Sequence, residues 1–277
     1  MNPTAPIGVF DSGLGGFTVV REIQKRLPNE NIVYFGDIAR LPYGIKSKQQ
    51  IVTFSKENTE FLLQHNIKAL VIACNSSASA AGAHLRSHFR IPILDVILPA
   101  ARSAVQATRK KRIGVIGTPA TIRSQVYVKE LQKIDPKVKV VTNACPLFVP
   151  LVEEGMMGTK IANSVVDYYL KPLRGKVDTL ILGCTHYPLL KSDVQKYMGA
   201  KVSLIDSALP LVQDLEMLLQ NLDLLNKVKK CGKLEVYVSD LPQNFIKIGE
   251  KFLGRKLHGV KVVRLKEEIT VKERWMA

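Results

Sequence analysis

Thr179-Leu180-Ile181-Leu182-Gly183-Cys184-Thr185-His186-Tyr187-Pro188 is the stretch on which the fold turns. Its first half is a short apolar run of strand-forming residues, which reads as a buried β-strand. The run stops at Gly183 and presents a thiol, a hydroxyl and an imidazole in succession. Open α/β sheets place ligands beyond the carboxyl ends of their strands, so an apolar strand ending in titratable side chains points to a site. Ala69-Leu70-Val71-Ile72-Ala73-Cys74-Asn75-Ser76-Ser77 has the same construction, an apolar strand ending in a cysteine and small polar residues.

The pattern around these strands repeats. Ile7-Gly8-Val9-Phe10 is a strand followed by the turn Asp11-Ser12-Gly13-Leu14-Gly15-Gly16, and Thr18 to Leu27 has helical periodicity. The turn resembles a phosphate-binding βα turn. It lacks the third glycine of G-x-G-x-x-G, and its carboxylate would repel a phosphate, so it is read as a tight turn that holds Asp11 and Ser12 at a site. An Asp in such a turn also serves as a helix cap. Ile113-Gly114-Val115-Ile116-Gly117-Thr118 restarts the pattern. Ile7 to Cys74 spans 67 positions and Ile113 to Cys184 spans 71, so two βα units of similar length each end at a cysteine. This weak repeat predicts two similar α/β halves facing each other.

Further helices are expected over Ser47–His65, Ser77–Phe89, Pro99–Thr108, Thr121–Ile134, Thr159–Leu170, Leu189–Tyr197, Ala208–Leu225 and Phe245–Phe252. Strands are expected over Asn31–Phe35, Ile91–Leu94, Val138–Thr142, Val202–Ile205, Leu234–Val238 and Val260–Val263. The elements after Ser207 are too few for a domain and are expected to complete the first half, while the charged tail from Lys266 is expected to fray. The expected fold is α/β: two similar α/β domains with mainly parallel sheets, residues 1–97 plus 207–277 and residues 98–206, with the site in the cleft between them.

The chain has 277 residues, enough for one large or two modest domains. No apolar run approaches the ~18 residues of a membrane span, and the N-terminus shows no signal-peptide pattern. Four widely spaced cysteines without C-x-x-C argue against a disulfide scaffold or a zinc ribbon and suit a reducing cytoplasm. Cys145 and Cys231 lack polar neighbours and read as structural. His84 and His88 lie four residues apart, but no nearby ligand completes a metal site, and a solvated helix face is expected. The net charge is +16, with a basic run at Arg109-Lys110-Lys111-Arg112 and 13 basic against 6 acidic residues from Lys227 onward. Such a surface attracts nucleic acid or anionic partners. The basic residues are not interleaved with stacking aromatics, which favours a solvated exterior instead.

A buried cysteine is most often a small apolar residue. Two cysteines at equivalent strand ends, each beside hydrogen-bonding side chains, favour chemistry. Two opposed acid/base groups are what inversion at a carbon needs: one removes a proton from one face and the other delivers a proton to the opposite face.

These residues identify a family resemblance. Gly8 to Gly16, Pro42-Tyr43-Gly44, Ala73-Cys74-Asn75-Ser76-Ser77-Ala78, Ile116 to Thr121, Leu151-Val152-Glu153-Glu154-Gly155 and Leu182 to Leu189 are similar to the segments of cofactor-independent glutamate racemases, within the aspartate/glutamate racemase superfamily. The resemblance implies that Cys74 acts on the D-enantiomer and Cys184 on the L-enantiomer, assisted by Asp11, His186 and Glu153. It implies substrate contacts from Asp11, Ser12, Tyr43, Gly44, Asn75, Ser76, Thr118, Thr121, Thr185 and His186. No metal and no cofactor are implied. The implied setting is the cytoplasm, with D-glutamate supplied to peptidoglycan synthesis by a homodimer. The family usually has Asn-Thr-Ala after the first cysteine, whereas this chain has Asn75-Ser76-Ser77. Ser76 keeps the hydroxyl but loses a methyl, and Ser77 adds a polar group. The alternatives are a racemase for another acidic amino acid such as aspartate, a DNA- or partner-binding role for the basic surface, and a thiol redox pair.

Overall fold

Ten strands form two sheets in the computed structural model, which describes residues 2–265. The strands are β1 (Ile7–Asp11), β2 (Ile32–Gly36), β3 (Ala69–Ile72), β4 (Ile93–Asp95), β5 (Arg112–Gly117), β6 (Lys139–Ala144), β7 (Thr179–Gly183), β8 (Ser203–Asp206), β9 (Leu234–Val238) and β10 (Val260–Val262). One sheet has the order β10-β9-β2-β1-β3-β4 and the other β6-β5-β7-β8. Every pairing is parallel. The order β2-β1-β3-β4 recurs as β6-β5-β7-β8, which is the structural form of the repeat in the sequence. β9 and β10 join the first sheet beyond β2, as expected for the segments after Ser207. The expected tail from Lys266 lies outside the described residues.

The helices are α1 (Phe17–Arg26), α2 (Lys48–Leu63), α3 (Asn75–His88), α4 (Ile97–Ala107), α5 (Pro119–Arg123), α6 (Val126–Ile134), α7 (Phe148–Glu153), α8 (Lys160–Leu170), α9 (Lys191–Met198), α10 (Ala208–Asn221) and α11 (Phe245–Leu253). None is long and apolar enough to cross a membrane. β1, β3 and β7 are buried along their whole length. That explains their continuous apolar runs, because helices cover both faces of a parallel sheet. The buried face of α3 carries Ser76, Ser77, Ala78, Ala81 and Gly82, small residues that let the helix lie close to its sheet. α10 packs on α1, α4 and β4, so it holds the two sheets together.

Three expected helices differ in detail. The helix placed over Thr121–Ile134 is broken: α5 ends at Arg123, and Gln125 adopts a left-handed conformation (φ 57°) before α6. Pro119 at the start of α5 and the cap from Thr118 move the true start upstream of Thr121. The helix placed over Leu189–Tyr197 is a 3-10 turn, Tyr187–Leu190, followed by α9. Pro188 is compatible with the first turn of a helix, so the chain tightens there without stopping. The helix expected to open at Pro99 begins at Ile97, which leaves the proline in the first turn.

Lys68 closes the first sheet from below. Its side chain is fully buried, donates to the carbonyls of Pro3 at 2.6 Å and Leu224 at 2.8 Å, and pairs with Glu30. Glu30 in turn accepts from the Asn226 amide at 2.8 Å. One ammonium therefore ties the N-terminal segment, the approach to β2 and the chain after α10. Removing one partner of a buried ion pair leaves the other charge uncompensated, at a penalty of about 3–5 kcal/mol. Lys68→Met is expected to lower unfolding free energy by about that amount, measured by urea denaturation. A loss below ~1 kcal/mol would show the tie to be unimportant.

Candidate active site

The candidate residues sit at the ends of the strands at each reversal of sheet order. β1 and β3 are neighbours whose connections run to opposite sides, and so are β5 and β7. Ligand sites form at such switch points because the loops splay apart there. β1 delivers Asp11 and Ser12, β3 delivers Cys74, β5 delivers Thr118, and β7 delivers Cys184.

Asp11 is fully buried. Its Oδ2 accepts from the Gly13 amide at 3.0 Å, and its Oδ1 accepts from the Thr185 hydroxyl at 3.2 Å. Asp11 thus closes its own turn and does not cap α1, whose N-cap is Gly16. Burial raises its carboxyl above the usual range, and the His186 charge partly offsets this. Cys74 is the N-cap residue of α3. Its thiol donates to Ser12 Oγ at 3.6 Å. Burial, reinforced by the nearby Asp11 charge, pushes the thiol up to about 11, so Cys74 is protonated at neutral pH.

Across the cleft, Cys184 Sγ lies 3.9 Å from His186 Nδ1, and His186 Nε2 lies 3.1 Å from Glu153 Oε1. Burial works against a charged imidazole. The hydrogen bonds with Cys184 and Glu153, and their charges, overcome it and raise His186 to about 10. A positive charge therefore sits beside Cys184 at neutral pH. Thr118 caps α5, accepting from the Thr121 amide at 3.3 Å, and bonds the Thr121 hydroxyl at 3.1 Å. It also reaches Ser76 Oγ at 2.9 Å.

Tyr43 is buried, and its hydroxyl donates to Asp37 and accepts from Asn58 Nδ2 at 3.1 Å. Its phenol is therefore committed away from the cleft. Asp37 also accepts from Arg40 at 2.7 Å and Ser239 at 2.9 Å, which anchors the loop carrying Tyr43-Gly44. A Cβ on Gly44 would sit 2.6 Å from Thr118 Cβ, so this loop closes on the opposite sheet only with glycine there.

Cys74 and Cys184 line one cleft of about 390 Å³. Ser12, Tyr43, Gly44, Asn75, Ser76, Thr118, Glu153, Thr185 and His186 line it as well. Asp11 and Thr121 do not line it; they stand behind Thr185 and Thr118. The cleft is not wholly polar: Leu41, Ile45, Pro119, Pro146, Val149 and Pro150 give it an apolar wall. These residues sit in irregular loops and short turns, where no periodicity marks them. Tyr127 was also missed: its hydroxyl donates to Asn75 Oδ1 at 2.7 Å from the opposite sheet's α6. Cys145 is buried outside the cleft, its thiol pushed far up by burial, and Cys231 is exposed. His84 and His88 stack on α3 with centroids 5.8 Å apart. Among the described residues, no three or more His, Cys, Asp or Glu side chains are grouped to hold a metal.

The fold and cleft are those of an α/β protein with two parallel sheets and a thiol from each at one site. The chain matches the family described as Asp/Glu/Hydantoin racemase over residues 8–215 and belongs to it. A glutamate racemase of Geobacter metallireducens is 47% identical over 267 residues, covering 96% of this chain and 99% of the relative. The crystal structure of glutamate racemase from Francisella tularensis in complex with D-glutamate is 39% identical, with a TM-score of 0.89 over 95% of this chain and 99% of that one. Glutamate racemase isoform RacE1 from Bacillus anthracis is 41% identical, with a TM-score of 0.91 over 95% and 99%.

The folded His186 value lies above its unfolded one. The stabilisation it provides is complete below about pH 6.5 and is lost as pH rises through about 10. His186 is expected to titrate near pH 10 by NMR, and Glu153→Gln to move that midpoint down by removing a hydrogen-bonded negative charge. A midpoint near 6.5 would show that the ring is not held as a cation.

Proposed function

We propose that the protein interconverts L- and D-glutamate without a cofactor, using Cys74 and Cys184 as opposed acid and base. The observation that carries this reading is that the two thiols, from equivalent strand ends of two sheets, line one cleft. The racemases it resembles supply the substrate class. In the L-to-D direction the Cys184 thiolate takes the α-proton from one face, leaving the electron pair on the α-carbon and its carboxylate. The Cys74 thiol then donates its proton to the opposite face and becomes a thiolate. A proton must next pass from Cys184 to Cys74 before another L-substrate reacts.

The resting charges suit this direction. Cys74 holds its proton at neutral pH, and the His186 cation stands 3.9 Å from Cys184 Sγ. A neighbouring cation favours the thiolate form of cysteine. Asn75 Nδ2 is buried without a partner, and Tyr127 holds the other end of its amide. We assign that free donor to a substrate carboxylate. The N-terminus of α3 favours negative charge in the same place. Ser12, Ser76, Thr118 and Thr185 supply hydroxyls, and Gly44 brings its backbone close to the substrate. Asp11 and Thr121 act from behind, through Thr185 and Thr118.

The division into residues 1–97 plus 207–277 and residues 98–206 is part of this proposal and is supported by the partition of strands between the sheets. A cytoplasmic homodimer that supplies D-glutamate for peptidoglycan completes it.

Pure L-glutamate in D₂O, with no added cofactor, is expected to racemise and gain deuterium at the α-carbon. Cys74→Ser and Cys184→Ser are each expected to lose about 10²-fold or more of racemisation while still binding glutamate. Full racemisation by either variant would sink the two-thiol mechanism. Faster turnover of aspartate in the same assay would move the substrate assignment, and sedimentation at the mass of one chain would remove the dimer.

A further inference from the structure

Ser77 is the polar residue that the racemase resemblance does not account for. It is completely buried, and its hydroxyl has no hydrogen-bond partner. A buried unpaired hydroxyl is unfavourable, so its presence calls for a state in which it is paired. Ser77 occupies the third helical position of α3, and Cys74 is the N-cap. An N-cap side chain accepts hydrogen bonds from the backbone at the second or third helical position. A thiol is a weak acceptor, whereas a thiolate is a strong one.

Resting on the two-thiol reading, we propose that Ser77 is a positioning residue for Cys74, its hydroxyl gaining a partner only as Cys74 releases its proton. The neutral thiol points its hydrogen at Ser12 Oγ, 3.6 Å away, and leaves Ser77 unpaired. Once the proton moves to the substrate carbon, the sulfur bears an electron pair and a negative charge. The hydroxyls of Ser12 and Ser77 and the Ser77 amide then all have an acceptor, and each lies where it favours the thiolate. An interaction formed only as charge develops lowers the barrier without tightening the ground state. It also counteracts the groups that disfavour that charge: burial itself, and Asp11 on β1. Tyr34 from β2 is held neutral by the same surroundings. Tyr43, Glu153, Cys184 and His186 are the other titratable groups around the cleft.

The test compares wild type with Ser77→Ala, following alkylation of Cys74 by iodoacetamide against pH, with the modified residue located by mass spectrometry. The midpoint is expected to rise by about one pH unit on loss of one charge-assisted hydrogen bond. At pH 8, kcat/KM is expected to fall about tenfold in both directions alike, because enantiomers have equal free energy. Melting temperature is expected to stay level or rise, since the hydroxyl removed is unpaired. A structural role for Ser77 would instead lower the melting temperature and leave the alkylation midpoint in place. An unchanged midpoint in folded Ser77→Ala overturns the proposal. Ser77→Gly, which also lacks the hydroxyl, must shift the midpoint the same way. The alkylation midpoint is read whether or not Cys74 is a base. Racemisation by Cys74→Ser would therefore overturn the two-thiol reading while leaving this test standing.

Discussion

The hydrogen bond from Thr185 to Asp11 spans the two sheets at the end of their central strands. It joins the residue after Cys184 to the last residue of β1. Around it the backbones approach so closely that a Cβ on Gly15 would lie 2.1 Å from Thr185 Oγ1. The turn after β1 must therefore be glycine-rich for a reason other than phosphate binding: it makes room for the opposite sheet. The Ser76–Thr118 and Tyr127–Asn75 hydrogen bonds repeat this joining on the other side of the cleft. All three pairs belong to the site or support it directly, so the contacts that close the cleft also set its geometry.

Bringing these ends together buries several ionisable groups in a small volume. Each must be paired or neutral, because an isolated buried charge is very unfavourable. In the first sheet burial raises Asp11 and Cys74 alike; Cys74 keeps its proton at neutral pH, and Asp11 is paired through hydrogen bonds from the Gly13 amide and the Thr185 hydroxyl. The second handles it by pairing: His186 stays charged between Cys184 and Glu153. The basic surface plays no visible part here. Most of its lysines and arginines are exposed; among the described residues the buried exception is Lys68, which has a structural partner in Glu30.

The fold was legible because each buried parallel strand is a continuous apolar run with punctuation at its end, and because the two runs ending in cysteine recur at similar spacing. The thiols, hydroxyls and His186 were legible for the same reason, since strand ends are where such folds display side chains. What escaped was non-local or irregular. Tyr127 reads as an ordinary apolar-face residue of a helix, and only the packing of α6 against the first sheet brings it to Asn75. Tyr43 was expected to contact the substrate; it lines the cleft, but Asp37, six residues earlier, captures its hydroxyl, a short-range contact invisible without side-chain geometry. The apolar wall of prolines and aliphatics lies in segments with no period to reveal it.

The two cysteines occupy equivalent strand ends but not equivalent surroundings. Cys74 caps α3, a helix of fourteen residues, while Cys184 precedes only a 3-10 turn. A long helix offers amide donors and a favourable dipole to a thiolate, and a 3-10 turn offers little of either. The second sheet supplies a charged imidazole where the first supplies backbone and hydroxyl donors. The proposed two-thiol racemisation would draw on this difference: each sulfur would have to be stable enough with its proton and without it for both directions to run through one cleft, because enantiomers are equal in energy. Duplicate topology sets where the sulfurs stand, and different local chemistry surrounds each of them.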